Sequence, residues 1–247
     1  MSSNRGRGGV GRQGRSQRAR LVEQRAREAR RRRERNLVVG IALGLALVLV
    51  IGGIVWFVVQ SQAPKDAAPA VGITEVQQTP EAGKPIRFGV DSAPKVVELF
   101  VDFHCPHCVE FEEQFGPVIQ EAENKGLAKI EVYPLSFIDA GSVAAANAFA
   151  CSAVAGFPRA YFNGLFANAT QSWTDEQLLA LVGQVKHSST PAFEQCVTGK
   201  EQQAWVSSIN EAASAKGIQG TPTVFIDGQE LSLSGLTEAS LRSQLGL

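Results

Sequence analysis

KVVELFVDFHCPHC, residues 95–108, is the stretch from which the fold can be read. Its first nine residues are rich in β-branched and aromatic side chains, as a buried strand requires. Helical character follows over 106–124, with a kink expected at Gly116-Pro117. The cysteine pair therefore sits where a strand hands over to a helix. Two intervening residues in a first helical turn bring both sulfurs within bonding reach. The first sulfur also meets free backbone N–H groups and the positive end of the helix dipole, which stabilise a thiolate. Pro106 suits a first turn because it has no N–H to leave unpaired. His107 can add a donor or a positive charge to the same sulfur. Cys105 is expected to be the exposed nucleophile, with a thiol pKa below the free value of about 8.5, and Cys108 to be shielded beneath it. A stabilised thiolate leaves readily and makes its disulfide a strong oxidant.

Two blander readings compete. Cys105 and Cys108 with His104 and His107 could bind zinc, but a closed zinc site takes four ligands and no second C-x-x-C exists, so no metal is expected. An inert structural disulfide across adjacent turns would constrain little.

Downstream, 128–135 reads as a second strand. Residues 141–215 then lose strand character, and 142–154, 158–167, 174–186 and 199–215 read as helices. Strands return at 223–226 and 231–233 around the turn Asp227-Gly228, and a helix over 237–245 closes the chain. Pro222 stands at the entry of an apolar strand. Taken alone it reads as a trans strand-start proline; beside the cysteine motif, a cis bond from Thr221 is expected, with Thr221 facing the pair.

Upstream, 60–84 is rich in Ala, Pro and Gln and reads as a linker, with an r.m.s. span of roughly 25–30 Å. Before it, 37–59 (LVVGIALGLALVLVIGGIVWFVV) is 23 residues without a charge. At ~1.5 Å per residue that crosses ~30 Å of hydrocarbon. A cleaved signal peptide is the alternative, but its apolar core is shorter, roughly 7–15 residues. Residues 1–36 hold 13 arginines against three glutamates, a net of +10, and read as a disordered tail. Arginines directly before the span keep that end cytoplasmic and send the C-terminal part outward. Topology and anionic lipid account for the charge, so no nucleic-acid partner is expected. All four cysteines, Cys105, Cys108, Cys151 and Cys196, follow the span, which suits an oxidising compartment.

From about 85 onward the sequence resembles the DsbA-like disulfide oxidoreductases, most closely the membrane-anchored actinobacterial MdbA type. The resemblance rests on Cys105-Pro106-His107-Cys108, on Glu112-Glu113 after Phe111, and on Gly220-Thr221-Pro222 followed by Val224-Phe225-Ile226. It implies an α/β fold, thioredoxin-like with an inserted all-helical subdomain over about 141–215, preceded here by one transmembrane helix. It further implies a monomeric enzyme without bound cofactor. The enzyme would exchange disulfides with unfolded, cysteine-containing secreted proteins, with Thr221 and Pro222 at the substrate. A membrane partner of the DsbB or vitamin K epoxide reductase type would reoxidise it. The family often carries an acid six residues before the first cysteine. Leu99 stands there instead, and Glu98 and Asp102 fall on the opposite face by strand alternation. Glu98, Asp102, Glu112 and Glu113 remain as candidate proton-transfer acids. Cys151 and Cys196 are expected to form a structural disulfide, the alternative being two buried free thiols. Within the same fold, an isomerase or reductase is the rival reading; a non-catalytic binding module is the rival from another class.

Overall fold

Hydrophobic alternation in 128–134 already implies a sheet with two unequal faces, and the arrangement of strands bears this out. The computed structural model of the chain describes residues 75–169, 172–185 and 187–247. The tail, the expected span 37–59 and most of the linker lie outside the described residues. No helix among the described residues is long and apolar enough to cross a membrane.

The elements run β1 (Ile86–Phe88), β2 (Lys95–Val101), α1 (Pro106–Asn124), β3 (Ala128–Pro134), α2 (Ala140–Ala155), α3 (Pro158–Ala167), α4 (Asp175–Gln184), α5 (Pro191–Thr198), α6 (Gln203–Ala215), β4 (Thr223–Ile226), β5 (Gln229–Glu230) and α7 (Glu238–Leu245). They build one sheet in the order β1-β3-β2-β4-β5. β2 and β3 are parallel, with Leu99 beside Val132, and α1 makes the crossover between them. β4 runs antiparallel to β2 with Val224 beside Leu99, and β1 is antiparallel on the far side of β3. The central strand β2 is thereby flanked on both sides, and its C-terminal end delivers the cysteine motif.

On one face of the sheet Val97, Leu99, Ile130 and Val132 are buried. On the other, Phe100 stacks on Tyr133 with ring centroids 4.5 Å apart, and the Lys216 ammonium lies 4.3 Å from the Phe225 ring centre. The helical block α2–α6 sits between β3 and β4. α2 is apolar nearly all round and is buried, as such a helix must be. Phe103, two residues past the end of β2, packs edge-on against Phe149 of α2 and Phe162 of α3, at 5.4 and 5.8 Å. This aromatic knot ties the inserted helices to the active-site end of the sheet.

Several expectations need adjusting. The helix expected over 199–215 starts four residues later, at Gln203, because α5 ends at Thr198 and Lys200 takes a left-handed φ of 55° in the turn between them. Residues 191–198, left unassigned, are helical because Thr190 caps them, accepting from the Phe193 N–H at 3.2 Å. The hairpin strand expected at 231–233 is β5 at 229–230. Asp227 and Gly228 both have positive φ, so the two-residue turn returns the chain to pairing at once. Residues 75–84 of the expected linker are held on the domain. Glu75 accepts from the N–H groups of Arg159 (3.1 Å) and Ala160 (2.7 Å) at the start of α3, and the Trp205 indole donates to the Lys84 carbonyl at 3.0 Å.

Candidate active site

β2 stops at Val101 because Asp102 turns the chain. Its carbonyl accepts from the Cys105 N–H at 3.0 Å. Its carboxylate accepts from the His104 N–H at 2.8 Å and from the Ser142 hydroxyl at 2.7 Å. Cys105 is then the N-cap of α1 and Pro106 opens the first turn. The Cys105 and Cys108 sulfurs are free thiols, 6% and 0% of each residue being exposed.

The two thiols differ in surroundings. Cys105, expected to be exposed, is buried too, because its thiol packs against the 220–222 loop and contacts the Thr221 carbonyl at 3.5 Å. Cys108 is sealed inside, where its sulfur accepts from the Asp102 N–H at 3.4 Å. Burial drives the Cys108 thiol well above the ordinary cysteine range, against the weaker pull of that Asp102 hydrogen bond. Thr221-Pro222 is a cis peptide bond, so 220–222 and 105–108 form the two lips of one site.

The two histidines differ as well. His107 turns outward: its side chain is 77% exposed and its Nδ1 lies 3.2 Å from Glu110 Oε2. The imidazole built into the site is that of His104, whose Nδ1 lies 2.7 Å from Asp139 Oδ2. The other Asp139 oxygen accepts from the Ser142 N–H at 3.0 Å and caps α2. Partnership with His104 holds the Asp139 carboxyl below the usual carboxylate range. Ser142 thus joins both aspartates, Asp102 through its hydroxyl and Asp139 through its N–H. Sequence reading treats His104 only as a zinc candidate. Its partner lies 35 residues away across a β–α–β unit, and only the cap pattern Asp139–Ser142 hints at it.

Of the four candidate acids, Asp102 touches the redox pair, and does so through its backbone: its N–H donates to the Cys108 sulfur and its carbonyl accepts from the Cys105 N–H. Burial raises its pKa, opposed chiefly by the hydrogen bond from His104. Glu98 pairs with Lys216 on the far side of the sheet. Glu112 and Glu113 line a cleft of about 220 Å³ between α1 and α3, with Arg159, Phe162 and Phe166. Burial lifts Glu112 to about 7 against the opposing charge of Arg159. Cys151 and Cys196 are joined as a disulfide between α2 and α5, both buried, with Cα atoms 5.8 Å apart. Among the described residues no cluster of His, Cys, Asp or Glu side chains is arranged to hold a metal ion.

The sequence family described as Thioredoxin matches residues 81–245, two thirds of the chain and all of the sheet. The chain belongs to the thioredoxin family. The finer resemblance to DsbA-like proteins is borne out by this thioredoxin-family chain's relatives. It is 24% identical over 201 residues to the probable disulfide bond formation protein D of Bacillus cereus, covering 78% of this chain and 88% of that one. Among solved structures it is similar to MdbA, a thiol-disulfide oxidoreductase from Actinomyces oris, with a TM-score of 0.62 at 20% identity over 74% of this chain and 96% of that one. It is also similar to DsbA from Mycobacterium tuberculosis, with a TM-score of 0.54 at 20% identity over 70% and 90% of the two chains.

Proposed function

We propose that this thioredoxin-family chain is an extracytoplasmic thiol–disulfide oxidoreductase. It introduces disulfide bonds into secreted or exported proteins through Cys105 and Cys108. One observation carries the reading: two free thiols one helical turn apart, Cys105 against the Thr221 carbonyl and Cys108, the more deeply buried, against the Asp102 N–H. In the oxidised enzyme a substrate thiolate attacks the Cys105 sulfur. The bond to Cys108 breaks, and Cys108 leaves with the electron pair. Buried where its charged form is disfavoured, Cys108 takes up a proton, and we assign that proton to the Asp102 carboxyl. A second substrate thiolate then attacks the substrate sulfur of the mixed disulfide and releases Cys105. The substrate is oxidised by two electrons and the pair is reduced. A membrane partner of the DsbB or vitamin K epoxide reductase type takes those electrons, so no bound cofactor is required. Thr221 and Pro222 hold the substrate backbone beside Cys105. Residues 37–59 anchor the enzyme with its N-terminus cytoplasmic.

Two variants test the assignment. Cys108→Ala should accumulate a mixed disulfide through Cys105 when given a peptide as its disulfide, the Cys105 thiolate displacing one half of the peptide disulfide as a thiol, and Cys105→Ala should form none. Trapping through Cys108 instead would reverse the roles. The reduction potential separates oxidase from reductase: an oxidase should lie well above thioredoxin's value of about −270 mV.

A further inference from the structure

The loop that joins β3 to α2 is built inside out. Its polar residues turn inward. Ser136 is buried, its N–H donating to Asn210 Oδ1 at 3.1 Å and its hydroxyl accepting from Asn210 Nδ2 at 2.8 Å. Asp139 closes on His104 at 2.7 Å. The two apolar residues between them face solvent, Phe137 58% and Ile138 44% exposed. Among the described residues Phe137 is the one exposed Phe, Tyr or Trp side chain. A lone exposed valine needs no explanation, but an aromatic and aliphatic pair held out by a pinned loop is unusual away from a contact surface. Backbone geometry sets this pair beside the redox turn. β3 is the parallel neighbour of β2, with Pro134 beside Val101, so both strands leave the sheet at the same end. The loop meets the turn at both of its own ends. The Leu135 N–H donates to the Val101 carbonyl at 2.7 Å, while Asp139 and Ser142 bind His104 and Asp102. Phe137 is two residues from Leu135 and from Asp139, no more than about 7 Å of extended chain. The Thr221-Pro222 loop enters β4, on the other side of β2, and touches the Cys105 thiol there. The redox turn is thus flanked by the Thr221 backbone on one side and an apolar surface on the other.

We propose that Phe137 and Ile138 form a specificity surface that takes the apolar side chains flanking a substrate cysteine. The inference rests on the oxidoreductase reading above and says how an unfolded chain is told from a folded one. Cysteine is among the residues most often buried in native proteins. The neighbours of a cysteine that awaits its disulfide are therefore core residues, exposed only until the chain folds. A chain laid along Thr221 with its sulfur at Cys105 has the β3–α2 loop as the far wall of the turn. At ~3.3 Å per residue, side chains two or three places from its cysteine reach Phe137 and Ile138. Charge favours this occupant over an anionic lipid surface, because residues 61–247 hold 21 acids against 11 lysines and arginines.

The test reduces the oxidised full chain with three reagents below saturation. One is a two-cysteine peptide with Leu, Val and Phe beside its cysteines, one is the same peptide with Ser and Gly in those places, and the third is dithiothreitol. The wild type should react about tenfold faster with the apolar peptide than with the polar one, the effect of burying one large apolar side chain. Phe137→Ser with Ile138→Ser should bring the two peptides within about twofold of each other and leave the dithiothreitol rate unchanged. Phe137→Leu with Ile138→Val keeps an apolar surface and should keep the preference. A wild type that does not discriminate, or a serine double variant that discriminates as the wild type does, overturns the proposal. Loss of the preference together with the dithiothreitol rate also overturns it, since the loop would then be shaping the redox turn. An unchanged preference with lost binding to neutral phosphatidylcholine vesicles, or with a dimer lost in sedimentation, gives the surface to the membrane or to a second copy instead. A wild-type chain that oxidises none of the three reagents overturns the oxidoreductase reading, and this proposal with it.

Discussion

Asp102 does three things at one position: it ends a strand, ties the redox loop to α2 and holds the Cys108 sulfur. Asparagine fits the space: both donors, the Ser142 hydroxyl and the His104 N–H, go to Oδ1, and its NH₂ takes the place of Oδ2, which is buried without a hydrogen-bond partner. Asp102→Asn should therefore change stability by no more than about 1 kcal/mol. It should also slow release of Cys108 in thiol exchange about tenfold; chemical denaturation and stopped-flow fluorescence measure the two effects. Equal exchange rates would remove Asp102 from the proton path. Replacing His107 with Ala should move the potential toward thioredoxin's by less than a tenfold change in the exchange equilibrium. Its ring is largely in solvent, where a charge is screened. A larger change in a glutathione redox titration would restore His107 to the centre of the site. The cysteine pair was legible in the sequence because its chemistry lies within four consecutive residues. Asp102 was misread because alternation was carried one residue past the end of β2, where the chain had already turned.

Secondary structure was most legible where the pattern was long and least where a single cap or turn decided the boundary. β2, α1, β3 and the buried α2 follow from runs of seven or more residues of one character. α5 was missed because it depends on Thr190 as cap and Pro191 at its first position, signals only two residues long. The three-residue β1 was missed because its partner, 128–134, lies more than forty residues on. The Cys151–Cys196 disulfide links α2 to α5 across 45 residues of sequence. Chain entropy for a loop of that length gives about 4 kcal/mol, an upper value where the unfolded chain keeps structure. The double variant Cys151→Ser, Cys196→Ser should lower the melting temperature by roughly 10 °C. Thiol exchange at low temperature should be retained, because the redox pair is carried by β2 and α1. Loss of exchange at 10 °C with an intact far-ultraviolet spectrum would show that the bridge shapes the site as well as steadying the block.

Across the whole domain, charge placement predicts a stability curve that falls on both sides of a mildly acidic optimum. Asp139 and Asp227 are held below the usual range, chiefly by hydrogen bonds from His104 and Lys95. Groups of that kind contribute above their unfolded pKa and are lost as pH falls through the folded one, so they set the acid limb. Glu112 acts in the opposite sense. Burial lifts it from 4.5 to about 7, so the folded state holds a proton there that the unfolded chain has released. Its contribution is complete below pH 4.5 and is lost as pH rises to about 7. Above that the cleft between α1 and α3 must hold a charged carboxylate whose Oε1 is buried without a hydrogen-bond partner. The penalty is on the order of 2 kcal/mol, reduced from the full shift because part of the side chain reaches solvent. Glu112→Gln keeps the shape and removes the titration. Its melting temperature should match the wild type near pH 4.5 and exceed it by roughly 5 °C at pH 8. Melting curves at half-unit pH steps decide the matter: two profiles that stay parallel from pH 4.5 to 8 would mean that Glu112 is ionised in the native state and that the basic limb has another source.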